Sequence, residues 1–334
     1  MDSPLFSTLP GAMAQAPVVL GIDFGGTKIA TAVCDLSGRR LATRVIDAEP
    51  ERGARSAFNR GVRGARELLA EAGQGRPLAA VGVSTFGIPA EDGVALAPAI
   101  DGWEDIAMGR ELRQAFAGTP VTMATDVKAA ALAEARWGSL AGADPGVYLN
   151  LGTGLAAAIV VGGTVLAGAH GAAGEIGYNL RQTADVGDAG YLMLEEVVSG
   201  RALARLSGRP AGEALADGAD PRLAAIADQF TTELAFHVVN LAISIDPVRI
   251  AVGGGMTRSW DRIRPRLDAA LEAAAPYRPE LVLAGFPFDA PLVGALALAV
   301  DAIAAERAAA EQTAAVRTDD GVNHNTHSRE GLTL

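Results

Sequence analysis

Twice along this chain an apolar, β-branched segment enters a glycine-bearing turn and returns at once as another such segment. In the first instance Val18 to Asp23, Ile29 to Cys34 and Leu41 to Asp47 are separated by Gly25-Gly26 and by Asp35-Leu36-Ser37-Gly38. In the second, Gly146 to Leu151, Ala156 to Val161 and Thr164 to Ala167 are separated by Gly152-Thr153-Gly154 and by Gly162-Gly163. Apolar runs of this length, joined by residues that tolerate tight turns, predict an antiparallel meander each time. A meander at the head of each half predicts two similar α/β lobes, although the two stretches differ too much to be read as a sequence repeat.

The remaining pattern fills in both lobes. Helices are expected over Ala54 to Ala72, Ile106 to Phe116, Tyr191 to Leu206, Arg222 to Ile245 and Pro291 to about Glu311, and strands over Leu78 to Thr85, Pro120 to Ala124 and Arg249 to Gly253. The lobes so defined are a small one over 17–125 and a larger one over 126–290, with the helix at 291–311 packing back on the first. Polar, non-periodic stretches at 1–16 and 312–334 read as disordered tails, and His324 and His327 fall in the latter.

Composition removes several classes of partner. Among 334 residues there is one cysteine, Cys34, so neither an intrachain disulfide nor a multi-thiolate metal site can form, as in a reduced compartment. The formal net charge of −11, with no local basic cluster, argues against nucleic acid or an anionic lipid surface as partner. The uncharged stretch between Asp144 and Glu175 is long enough to span a bilayer, but its glycines break it into short strands. At the N-terminus Asp2, scattered prolines and the lack of a basic residue argue against a signal peptide. The expected location is the cytoplasm.

Chemistry concentrates at the turns. In Asp23-Phe24-Gly25-Gly26-Thr27-Lys28 paired glycines follow a strand, where bare backbone can approach a phosphate and a carboxylate such as Asp23 can hold magnesium or its waters. Taken singly, such a turn is usually just a hairpin. The Asp-Phe-Gly tripeptide also mimics protein kinases, but no His-Arg-Asp loop accompanies it. A second turn of the same kind, Gly152-Thr153-Gly154, heads the other lobe, and a third, Gly253-Gly254-Gly255, follows a strand. Three together point to a nucleotide between the lobes. Asp126, opening a helix, is either an N-cap or an ionised acceptor favoured by the helix dipole, and the two roles are compatible.

These residues, with Thr125-Asp126 before Ala129-Ala130-Ala131-Leu132-Ala133-Glu134, Gly174-Glu175-Ile176-Gly177, and Leu194-Glu195 before Ser199-Gly200, resemble in order and spacing the ROK family of bacterial sugar kinases and sugar-responsive repressors. The resemblance implies two actin-like, ribonuclease-H-like lobes closing over ATP, magnesium and a hexose, commonly in a homodimer. It implies Asp126 as the general base toward a sugar hydroxyl, by family habit the one at C6. Gly87, Thr125, Glu175, Tyr178 and Glu195 would be at the sugar. Asp23 would lie near the metal, Gly25, Gly26, Thr27, Lys28, Gly152, Thr153 and Gly154 near the phosphates, and Gly254 and Gly255 beside the adenosine.

Departures from the family pattern bear on specificity. The family's zinc-binding His and three Cys correspond here to Tyr178, Val186, Asp188 and Met193, so no zinc is expected, and the loop is predicted to be rebuilt on apolar packing by Tyr191, Leu192 and Met193. Thr125 replaces an Asn and Ala156 a Gly. Such changes can move preference from glucose to an aminohexose such as kanosamine, an N-acetylhexosamine or another epimer. A non-catalytic sugar-binding protein is the further alternative. A DNA-binding repressor is disfavoured by the short stretch before the first strand, and a serine hydrolase by the lack of glycines around Ser84. Trp103 is expected at the cleft rim, His237 in a packed position, and Lys28 either at a phosphate or in solvent.

Overall fold

The computed structural model describes residues 16–216 and 221–323. The chain forms β1 (Val18–Phe24), β2 (Lys28–Asp35), β3 (Arg40–Asp47), α1 (Ala54–Gly73), β4 (Leu78–Thr85), the two-residue strands β5 (Ile88–Pro89) and β6 (Val94–Ala95), α2 (Met108–Ala115), β7 (Val121–Thr125) and α3 (Asp126–Trp137). It continues through β8 (Gly146–Leu151), β9 (Leu155–Val161), β10 (Thr164–Val165), α4 (Gly200–Ser207), α5 (Ala211–Ala214), α6 (Pro221–Ile245), β11 (Arg249–Gly253), α7 (Trp260–Ala274), β12 (Glu280–Leu283) and α8 (Ala290–Asn323).

Two five-stranded sheets carry the architecture. Their strand orders, β3-β2-β1-β4-β7 and β10-β9-β8-β11-β12, are the same order executed twice: an antiparallel meander extended by two parallel strands. The repeated meander in the sequence therefore reflects a repeated topology. Charge-free residues between Asp144 and Glu175 become β8, β9 and β10, with β8 and β9 almost wholly buried, as sheet centres require. Among the described residues no helix is long and apolar enough to cross a membrane.

Each sheet has its own core. Val18, Leu20, Ile22 and Phe24 of β1 pack with Phe58 of α1 and with Trp103, while Val147, Leu149 and Leu151 of β8 pack with Phe230 and Leu234 of α6 and with Leu267 of α7. The last helix, α8, returns to the first sheet, where Leu292, Leu296 and Ala299 close over Val19, Ala32, Cys34 and Ala80. Close approach of α8 is permitted by Gly82 on β4, where a side chain would strike the Ala295 carbonyl, and by Gly294, where one would strike the Ala129 carbonyl of α3.

Several expectations need correction. The predicted helix Tyr191 to Leu206 is interrupted: a 3-10 turn covers Leu194–Glu196, and a new helix starts at Gly200 because Ser199 is extended and its Oγ accepts from the Ala202 amide at 3.0 Å. Helix α8 runs to Asn323 rather than ending near 311. The sequence reading also lacks α7 and β12. His324 and His327, and all of the expected N-terminal tail except Ala16, lie outside the described residues.

Candidate functional site

Within each sheet the parallel strands run the same way, and the candidate residues sit beyond their carboxyl ends, where an open α/β sheet binds ligands. From β1 the chain enters Gly25-Gly26-Thr27, from β4 it reaches Gly87, from β7 it reaches Asp126, and from β8 and β11 it enters Gly152-Thr153-Gly154 and Gly254-Gly255. Together they line one cavity of about 390 Å3, with Thr125, Glu175, Tyr178 and Glu195 on its wall. The Gly253–Asn150 register between β11 and β8 stacks the second and third turns directly on each other.

Glycine is required at two of these points by backbone geometry. Gly254 has φ 90°, and a Cβ there would meet the Leu151 carbonyl; Gly87 has φ 76°, and a Cβ would lie 2.6 Å from that of Ala97. The hairpins themselves use some of their own donors: the Gly25 amide donates to Lys28 O at 2.9 Å and the Gly152 amide to Gly154 O at 3.0 Å. What remains for a ligand among the described residues are the amides of Gly26, Thr27, Thr153 and Gly154, not the full run of both turns.

The carboxylates are strongly coupled. Asp23 accepts a bond from Ser84 Oγ at 2.7 Å, which favours its charge, but burial dominates and pushes its carboxyl up to about 6. Asp126 is pushed further, to about 7, by burial first and by the negative charges of Asp23 and Glu175. Its bond from the Val127 amide, 2.8 Å to Oδ1, opposes this only in part. The helix start thus does not keep Asp126 fully ionised as its sequence position suggested: desolvation and two neighbouring acids outweigh the dipole. Nor is Asp126 the cap. Thr125 takes that role, its Oγ1 accepting from the Lys128 amide at 3.2 Å, which leaves Asp126 as the first helical residue, facing the cavity.

Glu195, rather than its neighbour Glu196, reaches the cavity. One of its oxygens accepts from the Leu155 amide at 2.8 Å and the other from Arg201 Nη2 at 2.8 Å. Lys28 is exposed at the start of β2 and does not line the cavity, and Asp23 stands behind the lining rather than in it. Trp103 is a core residue 1% exposed, donating from Nε1 to Thr85 Oγ1 at 3.2 Å and packing on Phe86, which does line the cavity. His237 is buried, with Nδ1 3.2 Å from Asn179 Nδ2.

The loop carrying Tyr178, Val186, Asp188 and Met193 is not rebuilt on apolar packing, since Leu192 and Val186 are exposed. Polar contacts hold it instead. Arg181 grips Glu233 of α6 through two bonds of 2.6 and 2.7 Å, Asp185 accepts from the Arg181 and Gln182 amides, and Tyr191 Oη donates to Tyr178 O at 2.8 Å. Sequence reasoning also misses Ser84, Lys128 and Arg201. Ser84 and Arg201 acquire meaning only through their partners in space; Lys128 is signalled by a second charge two residues after Asp126, just before an Ala/Leu run.

For a metal, no cluster of three or more His, Cys, Asp or Glu side chains among the described residues is arranged to hold an ion. A single carboxylate beside a phosphate-sized turn, Asp23, suits a magnesium ion that arrives with phosphate and water oxygens as its other ligands. The donor set fits that group and no all-protein cage.

The chain is similar to known proteins in sequence and in fold. The chain is 30% identical over 292 residues to the bifunctional enzyme NanE/NanK of Brucella melitensis, an alignment covering 84% of this chain and 54% of that protein. It thus spans about half the length of that relative. Two solved structures superpose over 84% of the chain: the ROK hexokinase from Thermus thermophilus (TM-score 0.69, 30% identity, 97% of that chain) and the ROK family glucokinase from Streptomyces griseus in complex with glucose and AMPPNP (TM-score 0.65, 29% identity, 99% of that chain). The fold therefore has counterparts among solved structures, and with the ROK family matching residues 19–302, the chain belongs to that family.

Proposed function

We propose that this protein is an ATP-dependent hexose kinase that transfers the γ-phosphoryl group to a sugar hydroxyl, at C6 for a glucose-like substrate, with Asp126 as general base. The observation that carries this reading is the meeting of Asp126 with three glycine turns around one cavity. Phosphoryl transfer asks a protein chiefly for positioning and charge stabilisation, with one acceptor for the hydroxyl proton. Asp126 in its ionised form takes that proton as the sugar oxygen forms its bond to phosphorus and the bond to ADP breaks. The free amides of Gly26, Thr27, Thr153 and Gly154 donate to phosphate oxygens, and the flat surface at Gly254 and Gly255 receives the adenosine. Asp23, behind the lining, would hold magnesium through its waters, and the ion would supply neutralisation of phosphate charge. Glu175, Tyr178 and Glu195, with the backbone at Gly87, would orient the sugar. The Streptomyces griseus ROK family glucokinase, solved in complex with glucose and AMPPNP, shares this fold, which supports the reading.

A second reading of the substrate has an observation in its favour. Asp126, Glu175 and Glu195 make the sugar end acidic, and Arg201 is already engaged by Glu195, so a protonated aminohexose would be attracted more strongly than a neutral hexose. Both are tested by measuring ATP consumption with magnesium against a panel of glucose, mannose, aminohexoses and N-acetylhexosamines. Turnover with at least one member is expected; binding without turnover across the panel would make this a sugar-binding protein instead.

The nucleotide half of the proposal has its own test. Gly254→Ala places a methyl group against the Leu151 carbonyl at a left-handed backbone position, so the turn must shift. An increase of about tenfold or more in KM for ATP is expected, roughly 1.4 kcal/mol of lost binding, with KM for the sugar little changed.

A further inference from the structure

Beneath the acidic wall of the cavity lies a cation that neither the fold nor the reaction as described requires. Lys128, on the first turn of α3, is 7% exposed, and its Nζ is buried with no hydrogen-bond partner. The nearest carboxylate oxygen is Glu175 Oε1 at 3.8 Å, an ion-pair distance rather than a hydrogen bond. Lys128 does not line the cavity of the candidate site. It lines a neighbouring one of about 340 Å3, which shares Thr125 and Ile88 with the first, so its stem approaches the acidic wall from behind.

Burying an ammonium without hydrogen bonds is costly, and such a group is retained where a charge nearby needs it. The charges in question are those facing it: Glu175 from the loop after β10 and Asp126 from its own helix, with Asp23 of β1 acting on Asp126, and Glu195 and Tyr178 lying beside Glu175. Arg201, which does line the cavity, is half-exposed and bound to Glu195. We propose that Lys128 is a positioning residue: its ammonium holds the Glu175 carboxylate ionised and turned into the cavity as an acceptor for a sugar hydroxyl. This rests on the hexose-kinase reading and assigns within it the group that keeps the sugar contact charged.

Charge balance at Glu175 runs the same way. Burial raises its carboxyl, the Lys128 ammonium lowers it, and the Glu195 charge raises it again, so removing the ammonium leaves only raising influences. A Glu175 without Lys128 would bind a proton more readily as pH falls, and the sugar would lose its acceptor there.

The experiment measures hexose binding by calorimetry without ATP, from pH 6 to 9, for the wild-type protein and for Lys128→Met, Lys128→Gln and Lys128→Arg, using whichever sugar the wild-type enzyme turns over. For the Met and Gln variants we expect hexose Kd to rise about tenfold at pH 6.5, the effect shrinking toward pH 9, with KM for ATP unchanged. The Arg variant, which keeps the charge, should recover most of the affinity. In a Glu175→Gln background, Lys128→Met should add little, because the group it serves is gone. A pH-independent loss, full affinity in both neutral variants, or additive losses in the double variant would each overturn the assignment while leaving kinase activity intact. Absence of turnover in the wild-type protein would instead overturn the kinase reading itself. Circular dichroism of each variant reports whether it folds, and the Gln variant, closest in shape, stands in if the Met variant does not.

Discussion

Asp126→Asn is expected to lower kcat by about 10²- to 10⁴-fold, the usual contribution of a general base, while hexose Kd changes by less than about threefold. The amide is nearly isosteric and retains an oxygen for the Val127 amide bond, so the helix start survives. What disappears is the only group facing the cavity from α3 that can take a proton. Near-normal turnover in this variant would remove Asp126 from the mechanism. With the carboxyl near 7, the wild-type enzyme should lose kcat as pH drops below about 7, and that acid limb should be missing from whatever residual rate the variant keeps.

Stability should move in the opposite sense. The folded-state pKa of Asp126 lies above its unfolded value of 3.8, so the native state binds the proton more tightly. Its contribution to stability is greatest below about pH 4 and is lost progressively as pH rises to about 7. A shift of that size corresponds to on the order of 4 kcal/mol, shared with the coupled Asp23 and Glu175. Asp126→Asn removes the ionisation and should therefore raise Tm by several degrees at pH 8, with the gain fading toward pH 4. A variant that is less active yet more heat-resistant at alkaline pH is the combined signature; a fall in Tm at pH 8 would contradict the burial that produces the shift.

Gly294→Ala should destabilise the protein by at least about 3 kcal/mol, although alanine is the better helix former by about 1 kcal/mol. At this position of α8 the added methyl would run into the Ala129 carbonyl of α3, and neither backbone can move without the other. Gly82→Ala, on the strand side of the same helix, should be comparably damaging because it strikes the Ala295 carbonyl. The contrast is Gly64→Ala in α1, where the nearest atom, Ile46 Cδ1, is at an ordinary 3.7 Å. There propensity decides, and a gain of up to about 1 kcal/mol is expected. Urea unfolding of the three variants measures the difference directly; similar values for Gly64 and Gly294 would show that the α3–α8 approach is loose.

Strands were the most legible part of this chain. Leu78 to Thr85 and Gly146 to Leu151 are bounded correctly because β-branched runs end at glycines or prolines, and those boundaries are local. Helix α7 was not legible in the same way: Pro265 lies inside it, and its buried face, Trp260, Ile263, Leu267 and Leu271, competes with surrounding arginines. The break at Ser199 depends on one side chain capping one amide. In the site, the turn glycines could be read from the sequence, because a close backbone approach demands particular residue types, while the Glu175 and Glu195 positions came from the family resemblance. Protonation of Asp126, the capping role of Thr125 and the polar anchoring by Arg181 and Glu233 could not, since each depends on partners far away in sequence.

Helix α8 has a consequence for how the molecule comes into being. Val19, Ala32, Cys34 and Ala80 are covered by Leu292, Leu296 and Ala299, residues translated only after the whole second sheet. While the polypeptide emerges from the ribosome, that apolar surface of the first sheet has no cover, and it stays sticky until the final helix arrives. Nascent chains stalled before Ala290 should therefore associate with chaperones or with one another through this surface, whereas chains released after Val300 should not.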